Sequence, residues 1–163
     1  GILKNYIPIC KMALRTHSST AVEKYSQEAA DKCVPLDSEL IKEAIPLFTQ
    51  IHHCGSVLTE VFFAMMISRI LYGSVPAPGT MLIFSILLAT CSIGTPGLPW
   101  GTVMVSLGTL TGILKFGDSG LALMFAVFAL NDAFAAACNA TCDGAAALFL
   151  TGYVKRHDFS NRL

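Results

Sequence analysis

The sequence contains little charge, and the charge that it has is balanced. Only 13% of its 163 residues are charged, whereas soluble domains contain about 25%. The 11 basic and 11 acidic residues give a formal net charge of zero, so the chain lacks the basic surface that nucleic-acid binding requires. With 53% hydrophobic residues, the composition indicates a membrane protein. The alternative is a soluble helical bundle, but residues 57–154 contain too few charges for a hydrated surface.

The sequence also lacks the usual cysteine and nucleophile motifs. None of its six cysteines forms a C-x-x-C pair. Cys138 and Cys142 lie one helical turn apart, which favours packing as small hydrophobic side chains. There is no G-x-S-x-G nucleophile elbow, and no carboxylate is placed to orient His17 beside Ser18 and Ser19. We therefore expect neither an enzyme nor a bound cofactor.

What the sequence does contain is a long apolar stretch, residues 119–154, without proline, lysine or arginine. Its 36 residues exceed the roughly 20 that a membrane-spanning helix needs. Asp132, Asn139 and Asp143 interrupt it, and their spacings of seven and four place them on one helical face. Because a carboxylate inside a membrane costs roughly 2.5–3.5 kcal/mol, this face is predicted to contact a cation, a polar ligand or water. Two small residues share the face: Ala135 and Ala136.

The whole pattern predicts an all-α membrane protein with one transport-type domain. Short helices flank a serine-rich segment near residue 18 and a Gly/Pro-rich segment at residues 92–101, and each pair is predicted to form a re-entrant hairpin. A polar cluster at residues 52–56 interrupts another apolar helix. The predicted segments are a first re-entrant hairpin (1–36), a broken transmembrane helix (37–74), a second re-entrant hairpin (75–117), one long C-terminal transmembrane helix (118–155) and a tail (156–163).

Alternatives stay open for three of these segments. The charged residues 23–32 are also typical of a soluble helical hairpin, and residues 81–114 of one kinked helix in a soluble core. His52, His53 and Cys54 are residue types that bind zinc. Adjacent histidines point to different helix faces, however, and further ligands are not evident, so we favour an unwound segment that lines a binding site.

The order of the segments is typical of secondary transporters. Each half pairs a hairpin with a helix that carries polar groups, which is the inverted-repeat pattern whose binding site lies where the interrupted segments meet. Glu60 lies in the apolar half of the broken helix, where Arg69 is its one candidate partner. Basic residues at positions 155, 156 and 162 predict a cytoplasmic C-terminus by the positive-inside rule.

Four motifs resemble those of the dicarboxylate/amino acid:cation symporter family, the glutamate-transporter homologues. N-A-T-C-D at residues 139–143 is similar to the family's N-x-T-G-D, and S-I-G-T-P-G-L-P at residues 92–99 to its S-I-G-T-x-G-x-P. R-T-H-S-S-T at residues 15–20 resembles the family's serine-rich first hairpin tip. H-H-C-G-S at residues 52–56 stands where the family usually has N-M-D-G-T.

The resemblance implies a role for individual residues. Asp132 would pair with a substrate ammonium group, and Asn139 would bind the α-carboxylate together with backbone groups at residues 16–18. Asp143 and the Asn139 carbonyl would hold one sodium ion. The implied substrate-binding residues are Thr16, His17, Ser18, Gly97, Asp132, Ala135, Ala136 and Asn139. The implied ion ligands are His52, Ser92, Ile93, Thr95, Asn139 and Asp143.

Three departures from the family pattern change what the resemblance implies. Ala135 stands where members with acidic substrates carry an arginine, so a neutral amino acid is favoured over a dicarboxylate. Cys54 and His52 replace the family's aspartate and asparagine, so one sodium site is lost or remade. A proton on His52 or His53 is the alternative coupling ion.

The resemblance also implies a location and partners. We expect an integral, multi-pass protein of the cell or inner membrane, assembled as a family-type homotrimer when full-length. The chain covers only the family's mobile transport part, so the N-terminal scaffold half is expected to be missing from it. The leading interpretation is the core of a symporter that couples Na⁺ or H⁺ to a small amino acid or dicarboxylate. The alternative is a truncated or degenerate transporter fragment that acts only as a membrane binding or assembly module.

Overall fold

The computed structural model describes residues 2–33, 38–95 and 101–157, and every regular element within these ranges is helical. This confirms the all-α prediction. The predicted site residue Gly97 and most of the predicted tail lie outside the described residues. The helices are α1 (Ile2–Thr16), α2 (Glu23–Asp31), α3 (Ser38–Ile51), α4 (Cys54–Tyr72), α5 (Pro78–Ser92), α6 (Gly101–Gly112) and α7 (Asp118–Arg156), with a short 3-10 helix at Thr20–Val22 before α2.

Two apolar segments of the described chain are long enough to cross a membrane. One is α7, and the other is α3 and α4 taken together, Ser38–Tyr72. In each segment, only 33% of the most apolar window is buried within the fold. A helix that is apolar all round and lies in the core of a soluble protein is mostly buried. The apolar surfaces of these two segments instead face outward.

The predicted interruption between residues 52 and 56 is narrow. Only His52 and His53 separate α3 from α4. The His52 N–H still donates to the Phe48 carbonyl (2.7 Å), and the Val57 N–H donates to the His53 carbonyl (2.9 Å). The chain therefore passes from one helix to the next with a break confined to two residues.

Helix α7 joins two separate hydrophobic cores. Its C-terminal half packs against α1, α2 and α3, and its N-terminal half packs against α4 and α6, while α5 joins the same core by packing on α4 and α6. The first core consists of the buried residues Tyr6, Ile9, Ala13, Val22, Ala29, Ala30, Ile41, Ile45, Ala137, Ala140 and Ala147. The second core consists of Ala64, Ile67, Met81, Phe84, Leu88, Val103, Leu110, Phe116, Met124 and Phe128.

Glycine permits close helix contact at two interfaces of α7. A Cβ on Gly144 would clash with Cζ of Tyr6, which packs there from α1. A Cβ on Gly55, at the start of α4, would lie 2.6 Å from both the Ala135 carbonyl oxygen and Cys138 Cβ. Small residues let helix backbones approach closely, as membrane helices commonly do. Both α1 and α4 are thereby held directly against α7.

Large apolar side chains cover the outside of the helices. On α7, Leu130 and Phe149 are each 78% exposed. On α5, the exposed residues include Leu82, Ile83 and Ile86. Soluble monomers rarely expose contiguous apolar surface of this kind. The outer surface therefore suits lipid or another protein better than water.

Candidate functional site

The polar face of α7 is buried. Asp132, Asn139 and Asp143 are 5%, 3% and 1% exposed, and Ala135 and Ala136 beside them are also buried. This burial agrees with the single helical face that their spacing predicts. Buried polar groups need hydrogen-bonding partners, and the interrupted helix supplies partners for two of these three side chains.

Asn139 holds the start of α4. Its Oδ1 accepts hydrogen bonds from the N–H groups of Gly55 (2.8 Å) and Ser56 (3.3 Å), and its Nδ2 donates to Ser56 Oγ (2.9 Å). The first N–H groups of a helix have no partner within that helix, and His53, which precedes α4, provides no side-chain cap. Asn139 therefore supplies the cap from α7, and one amide joins the two helices at the break.

Asp143 contacts the end of α3. Thr49 Oγ1 lies 3.2 Å from Asp143 Oδ2 and 2.9 Å from the Ile45 carbonyl, and its single proton can serve only one of the two. His52 Nδ1 lies 3.2 Å from Asp143 Oδ1, so the two side chains form an ion pair when the imidazole is protonated. The His52 side chain is 35% exposed while that of Asp143 is 1% exposed. A buried carboxylate is thus linked to a partner that reaches the surface.

A cavity of about 450 Å³ opens between the helix break and the end of α5. Its volume lies within the range of about 300–1,000 Å³ typical of small-molecule sites. The cavity brings together His52, Ser92 and Ile93, three of the predicted ion ligands. The complete lining is Ile51, His52, His53, Cys54, Val57, Ile86, Ala89, Thr90, Ser92 and Ile93.

Hydrogen bonds between Thr95 and Ser92 hold the described part of the second hairpin tip. Ser92 and Thr95 are buried, whereas Ile93 is exposed. Thr95 donates twice to the Ser92 carbonyl, from its N–H (3.0 Å) and from its hydroxyl (2.6 Å). A carbonyl oxygen has two lone pairs, so this one has none left for an ion. The Ser92 carbonyl would bind sodium only after Thr95 had moved away.

The first hairpin tip contains one strained residue. His17 has a φ of 54°, in the left-handed region that costs a non-glycine residue roughly 1–2 kcal/mol. Thr16 Oγ1 lies 3.1 Å from the Met12 carbonyl and 3.2 Å from the Ser18 carbonyl, and Ser18 Oγ accepts the Ala21 N–H at 3.2 Å. These contacts order the tip at the end of α1, which packs along α7. Backbone strain of this kind is frequent at binding sites.

Glu60 is fully buried, and its partner is not the predicted one. Its Oε1 accepts a hydrogen bond from the Ser106 hydroxyl of α6, while Arg69 donates to the Gly73 carbonyl at 2.8 Å. Oε2 accepts no hydrogen bond from the described residues. Arg69, the candidate partner, therefore does not pair with Glu60. Sequence reasoning missed Ser106 because it lies 46 residues away on another helix.

Three thiol groups converge beside Asn139. The Sγ atoms of Cys54, Cys138 and Cys142 all lie within 4.8 Å of one another, and those of Cys138 and Cys142 are 4.0 Å apart. Cys138 is exposed, so the prediction that it packs as a small hydrophobic side chain is wrong. Sequence reasoning missed the cluster because Cys54 lies on α4 and meets the two α7 cysteines only through tertiary packing.

Comparison with known proteins adds a family match. The sequence model of the Sodium:dicarboxylate symporter family matches residues 1–152, which is most of the chain. No curated protein and no solved structure matches the chain significantly. The family match agrees with the resemblance carried by the motifs at residues 92–99 and 139–143.

Proposed function

The chain belongs to the sodium:dicarboxylate symporter family, and from that premise we propose that it is the substrate- and ion-binding core of a secondary active transporter for a neutral amino acid. One observation carries the proposal: a broken helix meets a buried polar face. Asn139 bonds to the start of α4, and Asp143 contacts the end of α3. In secondary transporters, interrupted helices of this kind line the substrate and ion sites.

Asp132 is proposed to bind the ammonium group of the substrate, and Asn139 its α-carboxylate. Both side chains are buried on one face of α7, where a carboxylate is costly without a cationic partner. Ala135 shares this face and offers only a methyl group, so an acidic substrate side chain would find no opposite charge there. A neutral side chain fits this environment better. The backbone of residues 16–18 is proposed to complete the site.

Asp143 is proposed to hold the coupling cation, either Na⁺ or H⁺. Carboxylate and hydroxyl oxygens, such as those of Asp143 and Thr49, are the ligand types that hard cations prefer. His52 contacts the same carboxylate, and histidine is the side chain that gains a proton nearest physiological pH. A proton held between His52 and Asp143 is the proposed alternative to sodium as the coupling ion.

The second hairpin tip is proposed to couple ion binding to substrate binding. The Ser92 carbonyl accepts two hydrogen bonds from Thr95, so ion binding at this carbonyl requires the tip to rearrange. If the rearranged tip also closes over the substrate, the ion favours the tip conformation that binds the substrate, and the substrate favours the conformation that binds the ion. Such shared preference is a coupling free energy, and it raises both affinities equally.

We propose that Ser38–Tyr72 and α7 cross the membrane, that both hairpins enter it without crossing, and that the C-terminus is cytoplasmic. The exposed apolar residues on α5 and α7 support burial in lipid or against another protein. Scaffold helices of the family, from the same polypeptide or from a partner, would cover part of this surface. The assembled transporter would be a homotrimer.

The first test is the thermal stability of the purified chain in detergent or nanodiscs, with and without sodium, across a panel of neutral and acidic amino acids. A ligand that binds only the folded state stabilises it by about 2.7 kcal/mol at a concentration of 100 times its Kd. We expect a shift that requires a neutral amino acid and a coupling cation together. Repeating the sodium titration at several pH values separates Na⁺ from H⁺ coupling.

Two substitutions locate the substrate site. Asp132→Ala is expected to abolish the amino-acid-dependent shift, whereas Asn131→Ala, one residue away on another face, keeps it. Ala135→Arg is expected to change the preference towards acidic amino acids, and Ala135→Met controls for the added length. An Asp132→Ala protein that binds with unchanged affinity would remove Asp132 from the site.

The same experiment tests the alternative function. If no combination of amino acid and cation changes the melting temperature of the folded chain, the assembly-module interpretation is favoured. The replacement of the family's aspartate by Cys54 is the observation that supports this second candidate. Reconstitution with scaffold helices of the family would then show whether binding depends on them.

A further inference from the structure

We propose that Cys54, Cys138 and Cys142 form a binding site for a soft divalent metal ion, with zinc as the physiological candidate and three thiolates as ligands. The three side chains come from two helices that meet at the break, two from α7 and one from the first position of α4. Nothing in the proposed transport function requires this site. Its test is therefore independent of whether the chain transports an amino acid.

The spacing of the sulfur atoms suits a metal ion. Zinc binds thiolate sulfur at about 2.3 Å, which separates two sulfurs of a tetrahedral site by about 3.8 Å. The Sγ atoms of Cys138 and Cys142 are 4.0 Å apart, and all three Sγ atoms lie within 4.8 Å of one another. Small rotations of the cysteine side chains therefore bring all three sulfurs to bonding distance around one ion.

The backbone around the cluster is fixed by contacts on both helices. Cys138 precedes Asn139, and Cys54 precedes Gly55, and these two neighbours are joined by the 2.8 Å hydrogen bond from the Gly55 N–H. Cys142 follows Cys138 by one turn, so both sulfurs lie on the same side of α7. The polar contact that caps α4 thus also holds the three thiols together before any metal binds.

Charge and ligand type decide which ion fits. Thiolate ligands select soft ions such as Zn²⁺, Cd²⁺ and Cu⁺. When the ion binds, three S–H bonds lose their protons to water and three metal–sulfur bonds form. A divalent ion then leaves one uncompensated negative charge, and a monovalent ion leaves two. Because buried charge is costly, the divalent ion is favoured at this partly buried site.

The fourth position of the metal is not filled by the described residues. Cys138 is exposed, and Cys54 and Cys142 are partly buried, so one side of the cluster opens to the outside of the fold. Three protein ligands with a fourth position for water are an arrangement that zinc accepts. A bound ion would tie the start of α4 to α7 more tightly than the amide of Asn139 does.

The experiment uses the whole chain, purified in detergent with reduced thiols and titrated with Cd²⁺. Cadmium bound to thiolate absorbs in the ultraviolet, and zinc competition against cadmium then gives the zinc affinity. We expect one ion per chain. Replacing Cys54, Cys138 or Cys142 singly by serine should weaken binding by at least about 100-fold, because losing a ligand costs more than losing a second-shell partner, which costs about 10- to 100-fold.

Cys91→Ser is the matched control, since Cys91 is an exposed cysteine on α5 outside the cluster. The Cd²⁺ and zinc affinities of this variant should equal those of the unsubstituted chain. Equal weakening by Cys91→Ser, or unchanged affinity in Cys54→Ser, would overturn the proposal. X-ray absorption of the unsubstituted chain with bound zinc does not depend on how the variants fold. It should report three sulfur ligands, and a count of one or none would reject the site.

Discussion

The two hydrophobic cores on either side of α7 are filled in different ways. In the first core, six of the eleven buried residues are alanine, and its one aromatic side chain, Tyr6, packs against Gly144 of α7. In the second core, the contacts come mainly from larger side chains such as Phe84, Met124 and Phe128. The first core therefore depends on helix backbones that lie close together, and the second on large side chains that interlock.

This difference bears on where the polar site lies. Asn139 and Asp143 share their part of α7 with Ala137, Ala140 and Ala147 of the first core. Small neighbours let α3 and α4 come within hydrogen-bonding distance of a short amide and a short carboxylate. Large neighbours, such as those of the second core, would hold the helices too far apart. The half of α7 with the smallest side chains is therefore the half that can carry the site.

The largest expected effect is a cavity in the second core. Phe128 is 1% exposed, whereas Phe134, further along α7 and on another face, is 66% exposed. Truncation of a buried phenylalanine to alanine costs about 3–5 kcal/mol, so Phe128→Ala should lower the free energy of unfolding by that amount and Phe134→Ala by much less. Denaturant unfolding in detergent measures both. Equal losses would show that the second core is not packed as described.

A smaller effect is expected from overpacking the first core. A methyl group added at Gly144 would meet the Tyr6 ring, whereas nothing lies within 4 Å of a Cβ on Gly152. Overpacking typically costs about 1–3 kcal/mol, so Gly144→Ala should be destabilised by that amount. Gly152→Ala should be neutral or slightly stabilised, because alanine favours helix more than glycine does. Stability that is unaffected in Gly144→Ala would mean that α1 packs against α7 less closely than described.

The smallest effect compares one strained residue from each half. His17 and Lys115 have φ values of 54° and 58°. Substitution by glycine removes roughly 1–2 kcal/mol of backbone strain, but glycine also loses more conformational entropy on folding, which costs about 0.5–1 kcal/mol. The free energy of unfolding of each variant should therefore rise by about 0.5–1 kcal/mol. Only His17→Gly should also weaken amino-acid binding, because only His17 belongs to the proposed site. Loss of binding in Lys115→Gly would show that the effect of glycine is not local.

The sequence predicted contacts within one helix better than contacts between helices. The spacing of Asp132, Asn139 and Asp143 was enough to predict that they share one face, because helical geometry fixes it. The interruption at residues 52–56 was visible from its polar cluster, although the break is limited to two residues. Which element would meet that face could not be predicted, because periodicity within a helix does not identify its neighbours.

The misses have the same physical origin. Ser106 is the partner of Glu60 because α6 packs against α4, and no pattern along either helix indicates that packing. The two hydrogen bonds that Thr95 donates to the Ser92 carbonyl were also not predicted, and the role of that carbonyl as an ion ligand stays a prediction. The thiol cluster likewise depends on the angle at which α4 meets α7. Each of these features requires the tertiary arrangement.

In the proposed membrane arrangement, the length of α7 determines how the proposed site lies relative to the two sides of the bilayer. Its 39 residues measure about 58 Å, whereas the hydrocarbon region is about 30 Å thick. Even at a tilt of about 40° the helix would extend about 45 Å along the bilayer normal. Both charged ends would then reach the headgroups. Ala137 is the central residue of Asp118–Arg156, and it lies between Asp132 and Asp143. In the proposed membrane arrangement, a ligand bound to these side chains would lie about midway between the two aqueous phases, so opening towards either one would require no displacement along α7.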